Sequence, residues 1–145
     1  DLIVFAHSYP KNRNAKKWYL IDDKIKRIIR ISQDIDSKLI LVDGFPKFFG
    51  NINYYSKFLF SRKNPSVSRI KVEETRSYLT KIMIKYVDNE SVFYIDPLDS
   101  LCSLDNCPSV INNKLIYSDT SPHFTIQGSP ILTNLFQEKI SEFSK

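Results

Sequence analysis

The chain has 145 residues, 42% of them hydrophobic and 13% aromatic, which is enough apolar material for one sizeable core and a single domain or most of one. Three glycines and seven prolines exclude collagen-like and low-complexity classes, and no apolar run approaches the about 20 residues that cross a bilayer. The net charge of +5 is spread among Lys11, Arg13, Lys16, Lys17, Lys24, Lys26, Arg27 and Arg30 and, later, Lys57, Arg62, Lys63, Arg69 and Lys71. No recognition motif accompanies it, so solvated faces are favoured over a nucleic-acid site, and anionic carbohydrate stays open.

Leu2-Ile3-Val4-Phe5-Ala6 is a continuous apolar run, as expected of a parallel strand covered on both faces. It is too short for a signal-peptide core, so any targeting segment or membrane domain is expected outside this sequence. Ile21, Ile25, Ile28 and Ile35, with Ile31, predict an amphipathic helix from about Trp18 to Ile35. Leu39-Ile40-Leu41-Val42 reads as the next buried strand, closed by an Asp43-Gly44-Phe45-Pro46 turn. From Lys47 to Pro65 the chain is aromatic without a sustained period. Phe48, Phe49, Tyr54, Tyr55, Phe58 and Phe60 there suit either a core cover or a substrate cleft. Val72, Thr75, Arg76, Leu79, Ile82, Met83 and Tyr86 predict a helix over 68–86, Val92-Phe93-Tyr94-Ile95 a third strand, and Ile131, Leu132, Leu135, Phe136, Ile140 and Phe143 a last helix. This alternation predicts an α/β fold, a three-layer, mostly parallel sheet with helices on both faces. Catalytic loops in such a fold leave the carboxyl ends of the strands.

Cys102 and Cys107 are separated by four residues, which allows a short disulfide-closed loop and with it an oxidising compartment. Two reduced, buried thiols are the alternative. No third Cys or nearby His suggests zinc, and there is no metal helix, glycine-rich phosphate loop or other cofactor motif.

The segment from Tyr117 to Gly128 sets Asp119 and His123 on one loop just ahead of a helix. That is a layout for acyl transfer or ester cleavage: a histidine takes the proton of a serine hydroxyl while a carboxylate fixes its tautomer and stabilises its charged form. Leu98-Asp99-Ser100-Leu101 imitates a nucleophile motif, but leucine stands where a tight strand-to-helix turn needs glycine, so Ser100 reads as a turn residue beside the cysteines. His7, at the end of the first strand, reads as structural or cleft-lining. For His123 the competing role is a surface residue capping the last helix.

The order Leu39 to Pro46, Tyr94-Ile95-Asp96-Pro97-Leu98-Asp99-Ser100-Leu101-Cys102, Cys107, and Tyr117-Ser118-Asp119 leading to His123-Phe124-Thr125 and Gly128 resembles the SGNH-hydrolase-like domain attached to integral-membrane O-acyltransferases. The resemblance covers nearly the whole chain. It implies an extracytoplasmic domain that transfers acyl groups, commonly acetyl, to cell-envelope glycans, with a membrane acyltransferase domain upstream supplying the acyl group. His123 becomes the general base and Asp119 its orienting carboxylate, although the family spaces them Asp-x-x-His and here Thr120, Ser121 and Pro122 intervene. The family's Gly-Asp-Ser nucleophile motif follows an earlier strand and has no match in this sequence. Residues 1–145 are therefore expected to be one such domain lacking its N-terminal nucleophile-bearing segment, and inactive alone. The family's asparagine oxyanion donor has no clean match either; His7-Ser8-Tyr9 occupies its place, with Asn12 and Asn14 further on. A free-standing esterase and a non-catalytic glycan-binding module are the alternatives.

Overall fold

The structure is a computed structural model that describes residues 1–6, 15–47, 65–88, 90–117 and 123–143. The chain packs as two compact units, Asp1–Gly44 with Thr75–Asp96, and Phe45–Glu74 with Pro97–Lys145.

The first unit is built on a parallel sheet of β1 (Leu2–Ala6), β2 (Lys38–Val42) and β4 (Val92–Ile95), in the order β1-β2-β4. Leu2 pairs with Lys38 and Ala6 with Val42, while Leu39 pairs with Val92 and Val42 with Ile95. Ile3, Leu39 and Val92, then Phe5, Leu41 and Tyr94, therefore line up on one face. Helix α1 (Ala15–Asp34) adds Ile21 and Ile25 to that face, and α2 (Arg69–Ile84) adds Leu79 and Met83, making one apolar cluster. Both helices lie on the same side because both crossovers step across the sheet in the same direction with the same hand. The opposite face carries Ile40, Val42, Phe93 and Ile95, all buried, so at β2 and β4 the sheet is covered on both sides, as their apolar runs predict; in β1 the corresponding residues Leu2, Val4 and Ala6 are exposed, so its equally apolar run is covered on one face only, against expectation.

The predicted helices form, with a shift in which isoleucines face inward. Ile21, Ile25 and Ser32 are buried and Ile28 and Ile29 partly so, whereas Ile31 and Ile35 are exposed. A 3.6-residue repeat from Ile25 reaches Ser32, whose hydroxyl is accommodated by donating to the Ile29 carbonyl at 2.8 Å. Ile35 lies past the helix end. There Asp36 takes a left-handed φ of 49°, and the amides of Ser37 and Asp36 donate to the carbonyls of Ser32 and Gln33, the double closure usually built on glycine. In α2 the inward row is Val72, Arg76, Leu79 and Met83, which follows the predicted face and puts a guanidinium among apolar side chains.

The second unit holds features that periodicity did not predict. Strand β3 (Ser66–Ser68) pairs antiparallel with β5 (Asn106–Pro108), and β6 (Val110–Ile111) with β7 (Lys114–Leu115). Asn112 and Asn113 join the latter pair with positive φ values of 49° and 59°, the conformation a two-residue hairpin requires. A single turn, α3 (Leu98–Leu101), and the last helix, α4 (Ser129–Phe143), complete the described elements. Cys102 and Cys107 form a disulfide, and Cys107 lies buried against Val72 and Leu98. Arg69 gathers the strands around that loop: its side chain pairs with Glu73 and Asp99 at 2.8 and 3.1 Å, and its amide donates to the Asp105 carbonyl.

Candidate functional site

In the second unit the candidate base is held by the chain on either side of it. After β7, Ile116 and Tyr117 are fully buried, and Tyr117 forms an antiparallel bridge with Phe124. The Phe124 ring stands edge-on to Phe45 at 5.1 Å and tilted against Tyr117 at 5.0 Å. The residue immediately before this aromatic anchor is His123, whose side chain is exposed. Behind it the Thr125 amide donates to the Ile116 carbonyl, and the Thr125 hydroxyl donates to the Leu115 carbonyl. The same hydroxyl accepts the Gly128 amide at 2.9 Å, and the Thr125 carbonyl accepts the Ser129 amide at 3.0 Å. Thr125 thus makes the capping contacts ahead of α4, the structural role considered for His123.

Gly128 is needed at this point for space. A Cβ there would lie 2.5 Å from the Ile116 carbonyl oxygen and 2.9 Å from the Ile116 Cα. The turn can therefore close on the segment that follows β7 only with hydrogen as the side chain. Together the bridge, the threonine and the glycine fix where His123 emerges.

Asp119 lies in residues 118–122, outside the described residues, as do His7, Asn12, Asn14 and the aromatic stretch from Phe48 to Phe60. Ser100 is exposed on α3, and its neighbour Asp99 is engaged with Arg69.

The carboxyl edge of the sheet in the first unit carries a polar network that sequence reasoning missed. Asp43, directly after β2, is 1% exposed and Arg76 of α2 is 3% exposed. The two pair at 3.2 Å, and Arg76 also binds Asp96, directly after β4, through two nitrogens at 2.8 and 2.5 Å. Asp43 accepts further hydrogen bonds from the Thr80 hydroxyl at 2.6 Å, the Tyr94 hydroxyl at 2.5 Å and the Gly44 amide at 2.6 Å. Burial by itself would lower the pKa of Arg76. The hydrogen bond to Asp96 and the charges of Asp43 and Asp96 outweigh it and hold the guanidinium above its ordinary value. Burial, then the negative charge of Asp43 and the hydrogen bond donated to it, push the Tyr94 phenol upward, so Tyr94 is a neutral donor. The sequence reads Asp43 as a turn residue and Arg76 as one position on a helical face. No local signal joins residues so far apart in sequence, although a lone arginine in an apolar helical row was a cue that it has a buried partner.

The first unit is a parallel α/β sheet with polar groups at the carboxyl ends of its strands, the class of fold in which functional loops leave those ends. The family model described as the SGNH domain (fused to AT3 domains) matches residues 3–138, and the chain belongs to that family. Its fold is shared with the solved periplasmic domain of a lipopolysaccharide acetyltransferase of Salmonella ser. Paratyphi A, at a TM-score of 0.66 and 21% identity. That match covers 96% of this chain and 56% of the other, so the chain spans little more than half the length of its structural relative. No curated protein matches it.

Proposed function

We propose that residues 1–145 are the C-terminal portion of an extracytoplasmic SGNH-like domain of a membrane O-acyltransferase. The protein transfers acyl groups, of which acetyl is the first choice, to cell-envelope or surface glycans. The observation that carries this is the match to SGNH domains fused to AT3 domains over nearly the whole chain. The fold shared with the periplasmic domain of an acetyltransferase supports it, as does a disulfide of the kind that persists outside a reducing cytosol.

In this reading a serine in a Gly-Asp-Ser segment upstream of Asp1 attacks the acyl donor. His123 takes the serine proton, and Asp119 orients the imidazole. His123 passes that proton to the leaving group of the acyl donor as the acyl-serine forms. It then takes the proton of the glycan hydroxyl as that oxygen attacks the acyl-serine, and returns it to the departing serine oxygen, regenerating the serine for the next turnover. The chain on its own lacks the nucleophile and is expected to turn over little or nothing.

The test is to express the domain together with the coding sequence upstream and to measure hydrolysis of a generic acetyl ester with and without His123→Ala. We expect activity in the extended protein and a loss of at least about a thousandfold in the variant, as for removal of a triad member. Ester cleavage indifferent to His123, or an upstream sequence without Gly-Asp-Ser, overturns the reading in favour of a glycan-binding module. Acetyl release to water and acetyl delivery to a glycan acceptor, compared in the same protein, separate an esterase from a transferase.

A further inference from the structure

The chain passes between its two units after Gly44, before Thr75 and after Asp96. Each passage falls on or next to a member of one ion network, in which Asp43 and Arg76 are buried and Asp96 is partly exposed. Gly44 follows Asp43, Thr75 precedes Arg76, and Asp96 belongs to the network itself. A single guanidinium thus ties together the points at which the chain leaves the carboxyl ends of β2 and β4.

We infer that Arg76 fixes the two turns that leave the sheet at Asp43 and Asp96, and that on the acyl-transfer reading above it is a positioning residue for the site. The geometry suits the task. Arginine's planar fork engages both oxygens of Asp96 while one nitrogen also faces Asp43, so the two carboxylates are held in fixed relative placement. Asp43 passes that order to the backbone through the Gly44 amide, the first residue of the outgoing turn, and Arg76 itself approaches the Gly44 carbonyl at 3.5 Å. Thr80 and Tyr94 fill the remaining acceptor positions of Asp43 with neutral donors, so the aspartate has one orientation. The loops of such a sheet that carry function start at these ends.

Two variants separate positioning from bulk stability. Arg76→Lys keeps the charge but cannot span two carboxylates with a rigid fork. The triple variant Arg76→Met, Asp43→Asn, Asp96→Asn removes every charge, and neutral replacement of a buried ion network commonly preserves stability. Amide hydrogen exchange on the 145-residue chain is the primary readout. For both variants we expect at least tenfold faster exchange at Gly44 and across Leu98 to Leu101, with the strand amides of Leu41 and Tyr94 unchanged. Exchange that stays at the wild-type level, or that rises uniformly in step with a lower melting temperature, overturns the inference. Should the triple variant not fold, Arg76→Lys alone decides it.

In the protein extended upstream, Arg76→Lys is expected to lower kcat at least tenfold, and the triple variant to stay low even where its melting temperature recovers. Activity that returns in step with stability sinks the positioning role while leaving the acyl-transfer reading intact. A wild-type protein without His123-dependent activity sinks the acyl-transfer reading, and exchange still decides whether Arg76 fixes the turns.

Discussion

Gly128 shows how one hydrogen atom can be the condition for a site. Its Cα sits so close to the backbone of Ile116 that any side chain meets a carbonyl oxygen and a Cα, neither of which can rotate away. Gly128→Ala is therefore expected to cost about 1–3 kcal/mol, the range for overpacking a closed contact, measured by urea unfolding of the chain. In the extended protein the same change should reduce activity beyond what the lost stability explains, because the turn it displaces follows His123. A variant as stable as wild type would show that the backbone at Ile116 yields easily. The sequence made Gly128 visible only as part of a motif; the spatial reason for it lies in the backbone of Ile116, twelve positions earlier, just after a short strand that pattern reading did not place.

Among the elements, strands β1, β2 and β4 and the helices α1, α2 and α4 were legible because each has a period or an apolar run of its own. The two short antiparallel pairs were not, since two- and three-residue strands carry too few alternations to register. The hairpin at Asn112-Asn113 did leave a trace, a pair of residues tolerant of positive φ between Val110-Ile111 and Leu115. The disulfide belongs to this scale as well. It closes the loop between α3 and β5; β5 is held in turn by β3, and Arg69 holds the loop itself through Asp99 and the Asp105 carbonyl. Replacing both cysteines with serine should cost roughly 2 kcal/mol from the short loop alone, by the loop-entropy relation. Denaturation with and without a reductant checks this on the unmutated chain, and the two experiments should agree. The cysteine pair could be found from sequence, and the Arg76 network could not, because its members meet only when the sheet has formed.

For the molecule as a whole, the carboxylates set how stability responds to acid. The Tyr86 hydroxyl first, and then the hydrogen bond and charge of Lys26, hold Asp22 below the usual aspartate value against the effect of burial. At Asp88 burial pushes upward, but the Ser91 hydroxyl and the amides of Val92, Glu90 and Ser91 prevail and hold it well below that value. A carboxylate depressed in the folded state stabilises the fold fully above its unfolded pKa of about 3.9, and the contribution is lost as pH falls toward the folded value. Urea midpoints are thus expected to hold steady from pH 7 to 5 and to fall steeply below about pH 4. Asp88→Asn should be less stable than wild type at pH 6 and approach it at pH 3. A constant difference between the two across that range would refute the assignment to Asp88.

The sheet and the C-terminal elements also differ in how early they can form. Leu39 must find Val92, and Leu2 must find Lys38, across long stretches of chain, whereas Val110 meets Leu115 and Cys102 meets Cys107 across a few residues. Closing short loops is the fast step in folding and long-range parallel pairing the slow one. The hairpin and the cysteine loop are therefore expected to close before β2 and β4 have paired. Oxidation of Cys102 and Cys107 can then precede completion of the core, and pulse labelling of the thiols during refolding should show them protected before the β2 amides are.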